Sequence, residues 1–171
     1  MSSPTSRVST ASPDAADSAR GRQMTTRAVE IARHWDDVLT IWRPEGQLAR
    51  LNAAAGKGPQ PISRDLATAL ATMTRLCNET DGAFDPGVGP LVAKYSRPLA
   101  LELGTAALFR IRDVLTLGDD TAELRAGAAL DAGGIGKGIA LDAIGHALRA
   151  GGATGAYLDF GGSSQLAFGT M

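Results

Sequence analysis

The 171-residue chain has one cysteine, two histidines and no strong excess of either charge, its formal net charge being -1. With Cys77 alone, an internal disulfide framework and a cysteine zinc cluster are both excluded, because each needs several thiols. Cys77 falls on the apolar side of a predicted helix, which makes it a packed core thiol rather than a nucleophile. His34 and His146 are far apart in the chain and lack ligand-like neighbours, so they read as ordinary imidazoles. The 17 basic and 18 acidic residues are spread along the chain. There is no basic stripe to track phosphates, and nucleic acid is set aside as a partner. No stretch approaches the roughly 18 apolar residues of a membrane span. The opening MSSPTSRVSTASPDAADSAR lacks the apolar centre of a secretory signal, so a cytoplasmic location is the expectation.

What is present suits a globular protein: 44% hydrophobic and 20% charged residues can build a core and still face water. Residues 1–25 are polar and small, and are expected to form a disordered tail ahead of one domain over 26–171. Val29, Ala32, Trp35, Val38, Leu39 and Trp42 recur at helical spacing, and Pro44 should end that helix. A loop follows, with a short helical turn carrying Leu48 and Leu51. Ser63 as N-cap and Asp65 in the first turn start a second helix, whose stripe is Leu66, Ala69, Leu70, Met73 and Leu76 or Cys77. It stops near Asp81 and Gly82. Residues 81–98 read as a loop folded back on the domain through Ala83, Phe84, Val88, Leu91 and Val92. LFRIRDVLTLG and AELRAGAALD alternate like strands around residues 118–120. IALDAIGHALRA is helical, and AYLDFGGSSQLAFG reads as strand, glycine break and strand. The order of elements points to an α+β fold.

Residues 130–148, LDAGGIGKGIALDAIGHAL, crowd glycines and a lysine into a turn that runs into a helix. Such a turn lets backbone N–H groups approach an anion, and the helix end adds positive potential. Two familiar phosphate grips do not fit. The opening glycine of a Walker loop would fall on Asp131, and Lys137 is followed by Gly138 rather than Ser or Thr. A dinucleotide-binding G-x-G-x-x-G matches Gly134 and Gly136, but its third glycine would be Ile139. Asp131 and Lys137 on one tight turn are placed to hold a polar ligand or a metal-bound phosphate.

LDAGGIGKGIALD resembles the D-x-G-G-I-[AG]-K-G-x-[AV]-x-D segment of FAD:protein FMN transferases, the ApbE family of flavin transferases. Three further blocks resemble that family in the same order: WRPEGQLARLNAAAGKGPQPISRDL, ETDGAFDPGVGPLV and LDFGGSSQLAFG. The resemblance spans 26–169. It implies an α+β fold with helices on a mixed or antiparallel sheet, T-fold-like and here incomplete at the C-terminus. It also implies that FAD is split at its pyrophosphate with Mg²⁺, that FMN moves to a Ser or Thr of an acceptor protein, and that AMP is released. By the same resemblance Gly134 supplies a metal ligand through its carbonyl. Asp131 and Lys137 contact flavin nucleotide or acceptor and are the catalytic candidates. Ala83, Phe84 and Asp85 match flavin-contacting positions, and Trp42 matches an aromatic against FAD.

Several positions depart from the family pattern. Gly46 and Gln47 stand where Ser and Glu are usual, which removes a hydroxyl and a carboxylate. Gly87 replaces a Thr, and Ser163 replaces an acid often found after the paired glycines. The strand that usually carries Met-Gly-Thr ahead of the first helix is not seen, since Met24, Thr25 and Thr26 run straight into it. The family's C-terminal His block, and the Asp and Thr or Ser that complete its Mg²⁺ site, are also not seen. Impaired turnover is therefore expected of this chain. Hydrolysis of FAD to FMN and AMP, or non-catalytic flavin binding, are the alternatives.

Overall fold

A computed structural model of the chain describes residues 7–9, 15–96 and 109–169. By compactness it divides into two units, Asp37–Ile135 and the pair of segments Met1–Asp36 and Gly136–Met171. One continuous domain was the expectation from sequence.

In the unit Asp37–Ile135 the helices α2 (Gln47–Ala53) and α3 (Arg64–Glu79) precede a short strand-and-helix region. In α2, Leu48 and Leu51 lie one turn apart and are both buried, which gives this seven-residue helix a reason to form. The α3 helix begins where its capping residue predicts: the Ser63 hydroxyl accepts the Leu66 N–H at 3.2 Å, with Asp65 in the first turn. Leu66, Ala69, Leu70, Met73 and Cys77 recur at three- and four-residue spacing and are each no more than 1% exposed. Asp81 and Gly82 adopt φ of 49° and 81°, which a right-handed helix cannot continue through.

Beyond them a 3₁₀ turn (Pro86–Val88) leads into α4 (Gly89–Ser96), so the expected loop over 81–98 contains helical turns, with 97–98 outside the described residues. Further along are α5 (Ile111–Val114), β3 (Leu115–Leu117) and β4 (Thr121–Leu124). The strand β2 (Gln60–Pro61) pairs with β4, and β4 with β3, all antiparallel. The α2 helix packs against β4 and α3 against α5.

Two local expectations fail here. The first helix, α1 (Ala15–Leu39), stops three residues short of Trp42. Thr40 ends it: the hydroxyl accepts the Trp42 N–H at 3.2 Å, a local bond that competes with the helical ladder. Residues 111–114 are helical rather than extended, because the Ile111 N–H is taken by the Asp85 carboxylate at 3.0 Å, and this tertiary bond overrides the strand-like alternation.

In the other unit, β1 (Arg7–Ser9), β5 (Ala156–Asp159) and β6 (Gln165–Phe168) form an antiparallel sheet with β5 in the centre. The helix α6 (Gly136–Ala150) packs on β5 and β6. Its core is Ala28, Leu141, Ile144, Leu148, Ala156 and Leu158. A tail reaching to residue 25 does not survive: β1 is a strand and α1 runs from Ala15. Low hydropathy hid two anchors there, Met24 packed on the core and the Arg20 guanidinium, which donates to the Gly151 carbonyl at 2.7 Å. Residues 1–6 and 10–14 lie outside the described residues.

The architecture is α+β, and every strand pair among the described residues is antiparallel. Among those residues no helix is long and apolar enough to cross a membrane. Truncating Leu70 should cost about 2–5 kcal/mol in urea unfolding, because a fully buried Leu leaves a cavity. Leu117→Ser, at a side chain 37% exposed, should stay within about 0.5 kcal/mol.

Candidate functional site

The glycine turn is approached from within the unit Asp37–Ile135 by two other stretches of sequence. Leu130 is fully buried. Its N–H donates to Asn52 Oδ1 at 2.9 Å and its carbonyl accepts from Asn52 Nδ2 at 2.8 Å. One residue on, the Asp131 N–H donates to the Pro86 carbonyl at 2.8 Å. Gly89 lies so near that a β-carbon there would sit 2.6 Å from the Ala129 carbonyl oxygen.

Asp131 then folds over its own turn, Oδ1 accepting the Gly133 N–H at 2.8 Å. Gly134 is exposed and lies beside Phe84, where a β-carbon would be 3.2 Å from the ring. Of the residues selected from sequence, Phe84, Asp85, Asp131 and Gly134 are thereby brought to one neighbourhood. Ala83 is exposed in the loop before Phe84, and Trp42 is 40% exposed on the stretch after α1.

Asp85 is half-buried and its carboxylate is bonded inside the protein. Oδ1 accepts the Gly87 N–H at 2.8 Å and the Ile111 N–H at 3.0 Å, while Oδ2 accepts from the Cys77 thiol at 3.3 Å. Its direct role is therefore to hold the turn at 86–88 and the start of α5 in place. Burial first, and then the bond to Asp85, push the Cys77 thiol above its ordinary value.

In the unit containing α6, Lys137 is exposed in the first helical turn and hydrogen-bonds the Ser163 hydroxyl. Ser163 follows Gly161 and Gly162, whose φ of 66° and 73° a side chain would strain. The Gly162 N–H is held by Asp159 Oδ1 at 2.6 Å, which fixes the turn between β5 and β6. A cation at a helix N-terminus opposes the helix dipole, and α6 has no acidic residue in its first turn. The end of α6 is thus electropositive.

A sequence model described as the ApbE family matches residues 5–170. The chain belongs to the ApbE family. It is 28% identical over 151 residues to an FAD:protein FMN transferase of Klebsiella pneumoniae (strain 342), covering 82% of this chain and 48% of that protein. To an FAD:protein FMN transferase of Treponema pallidum (strain Nichols) it is 34% identical over 141 residues, covering 74% and 39%. The flavin transferase ApbE from Vibrio cholerae superposes with a TM-score of 0.73 at 25% identity, over 82% of this chain and 49% of that one. The apo flavinyl transferase ApbE of Pseudomonas stutzeri gives 0.75 at 19% identity, over 85% and 50%, a likeness of fold alone. The chain spans about half the length of the relatives it matches.

Within this ApbE-family chain, local contacts account for the residues at 46, 47 and 87. A β-carbon at Gly46 would lie 2.5 Å from the Thr40 side chain. The Gln47 side-chain oxygen accepts the Ser63 hydroxyl at 2.6 Å, a bond that steadies the capping residue of α3. At Gly87 the space of a β-carbon is filled by the Phe109 carbonyl. Gln47, Arg50, Leu51, Gln60, Ser63 and Leu66 line a cleft of about 430 Å³, and none of the candidate site residues predicted from sequence lines it. Asn52 was not selected either. Its signal was its place, a polar amide closing the R-L-N of the first block on a helix whose Leu48 and Leu51 are buried.

Asp85→Ala should cost about 2–4 kcal/mol, since two backbone amides lose their acceptor, whereas Asp85→Asn, which keeps an oxygen there, should cost less. Because the folded chain holds the Cys77 proton more tightly than the unfolded chain, this contribution is intact below the ordinary thiol value and is lost as pH rises through the raised one. The melting temperature should therefore decline above pH 9, and the decline should be shallower in Cys77→Ala.

Proposed function

We propose that this chain acts in Mg²⁺-dependent transfer of FMN from FAD to a Ser or Thr hydroxyl of an acceptor protein, with release of AMP. The observation that supports it best is the meeting of the first three motif blocks on one backbone segment: Asn52 on Leu130, Pro86 on Asp131 and Phe84 against Gly134. The relatives' name, FAD:protein FMN transferase, supports the transfer of FMN from FAD to a protein. The location we propose is cytoplasmic, and no nucleic acid is proposed as a partner.

Among the described residues no three His, Cys, Asp or Glu side chains gather into a metal cage. Mg²⁺ takes hard oxygen donors and usually leaves much of its shell to water and substrate phosphates. The Gly134 carbonyl is the donor we assign to it. When bound, the ion would neutralise charge on the pyrophosphate.

The chain's own groups supply the rest. In the transfer step the acceptor hydroxyl oxygen attacks the FMN-side phosphorus, the bond from that phosphorus to the bridging oxygen breaks, and AMP leaves with that oxygen. The hydroxyl proton passes to a carboxylate, for which Asp131 is the candidate. Lys137, steadied by Ser163 on the electropositive end of α6, is assigned to phosphate oxygens. Phe84 and Trp42 offer aromatic surface to the flavin, with Ala83 leaving room beside Phe84. Asp85 contributes by holding the loop that carries them.

The test is incubation of the full chain with FAD, Mg²⁺ and an acceptor carrying a target Thr, reading AMP and protein-bound flavin. AMP with bound FMN is expected, and chelation of Mg²⁺ should abolish both. Asp131→Ala and Lys137→Ala should each slow AMP release about 100-fold, the loss typical of a group that stabilises a transition state. Free FMN would make the chain an FAD pyrophosphatase, and no AMP at any Mg²⁺ concentration would overturn the reading.

A further inference from the structure

We infer that Asn52 is a positioning residue for the proposed reaction: its amide fixes the path of residues 130–134 and so sets where Asp131 and Gly134 present their oxygens. The inference rests on the transfer reading for its chemistry and on geometry for its mechanism.

A backbone segment that is buried outside regular structure must still satisfy its N–H and C=O groups. Leu130 lies outside the strands and is fully buried. Asn52, 78 residues away in the chain, meets both groups at once, at 2.9 and 2.8 Å. The pairing has the form of a residue in an antiparallel ladder, with a side-chain amide in place of the partner peptide.

Few side chains can do this. Asp has no donor for the Leu130 carbonyl, Ser and Thr cannot offer a donor and an acceptor on separate atoms, and Gln carries the same amide one methylene farther out. The two bonds lock Leu130 in rotation as well as in place. With the Asp131 N–H held by the Pro86 carbonyl at 2.8 Å, consecutive residues are pinned by two different blocks. The turn closed by Asp131 Oδ1 and the Gly133 N–H starts from that fixed point. Asn52 itself is carried by α2, which Leu48 and Leu51 anchor in the core. No part of this chain of contacts requires Asn52 to touch a substrate.

The test uses the full chain, its Asn52→Ala and Asn52→Asp variants, and two readouts. Amide hydrogen exchange follows residues 130–134, with the Leu66 amide, held by Ser63, as an internal reference. In Asn52→Ala the Leu130 amide should exchange at least about 10-fold faster while Leu66 is unchanged, and in Asn52→Asp, which keeps one acceptor, the change should be smaller. AMP release from FAD should lose about 100-fold in kcat in Asn52→Ala with KM for FAD within about threefold, as misplacement of reacting groups predicts. A variant that melts earlier but keeps wild-type kcat and wild-type exchange at 130–134 would overturn the inference. Should the wild-type chain release no AMP, the transfer reading fails by itself. FAD affinity then replaces kcat: an Asn52→Ala chain that binds FAD at least about 10-fold more weakly, with faster exchange at Leu130, upholds the positioning role, and unchanged affinity refutes it.

Discussion

Leu130 has no exposed surface, and its two backbone polar groups depend on a single side chain. Leaving either group unpaired in the interior would cost about 1–3 kcal/mol, comparable with a sizeable share of a domain's net stability. That constraint organises its surroundings. Once Asn52 holds Leu130, the next amide reaches the Pro86 carbonyl, and the Ala129 carbonyl just before it lies too close to Gly89 for any side chain there. The DPG sequence that follows Phe84 and the R-L-N that ends α2 are therefore mechanically joined, although more than thirty residues separate Asn52 from Asp85 in the chain.

A second node does similar work on the other side of that loop. Asp85 holds the turn at 86–88 through its own Oδ1 and, with the same oxygen, the first amide of α5. Its second oxygen faces the Cys77 thiol on α3. A carboxylate that accepts two amides and a thiol is poorly placed to seek further partners, so in the proposed flavin site Asp85 would act only by holding Phe84 and Pro86 beside it. The lone cysteine, read from sequence as a core thiol, is that and also a donor to this node.

Sequence reading succeeded where periodicity and a cap agreed. The buried stripe of α3 follows from its spacing, and Ser63 caps it as its position suggests. It failed where a distant bond decided the local form. Nothing in IRDV announces a helical turn, since the decisive acceptor, Asp85, lies 26 residues earlier. The same holds for α1, whose early residues are polar but are anchored by Arg20 on Gly151 and by Met24 on the core. At the candidate site, sequence marked the residues that carry charge or permit close approach. It passed over Asn52, because an asparagine near a helix end is ordinary until its partner is known.

The glycine-rich turn shows how packing and proposed function divide the explanation. Gly133 faces the Asp131 carboxylate, where a β-carbon would lie 2.7 Å from Oδ1, and Gly134 faces the Phe84 ring at 3.2 Å by the same measure. A side chain at either position would have to displace the Asp131 carboxylate or press the Phe84 ring aside. Gly138, in the first turn of α6, would meet nothing within 4 Å of a β-carbon. Lys137 beside it adds a cation where the dipole favours an anion. Neighbouring side chains thus constrain the first half of the turn, while in the second half the dipole opposes the Lys137 charge. In the proposed reaction, the exposed surface around Lys137 and Gly138 would be kept small and positive for a nucleotide phosphate, whose negative charge suits it.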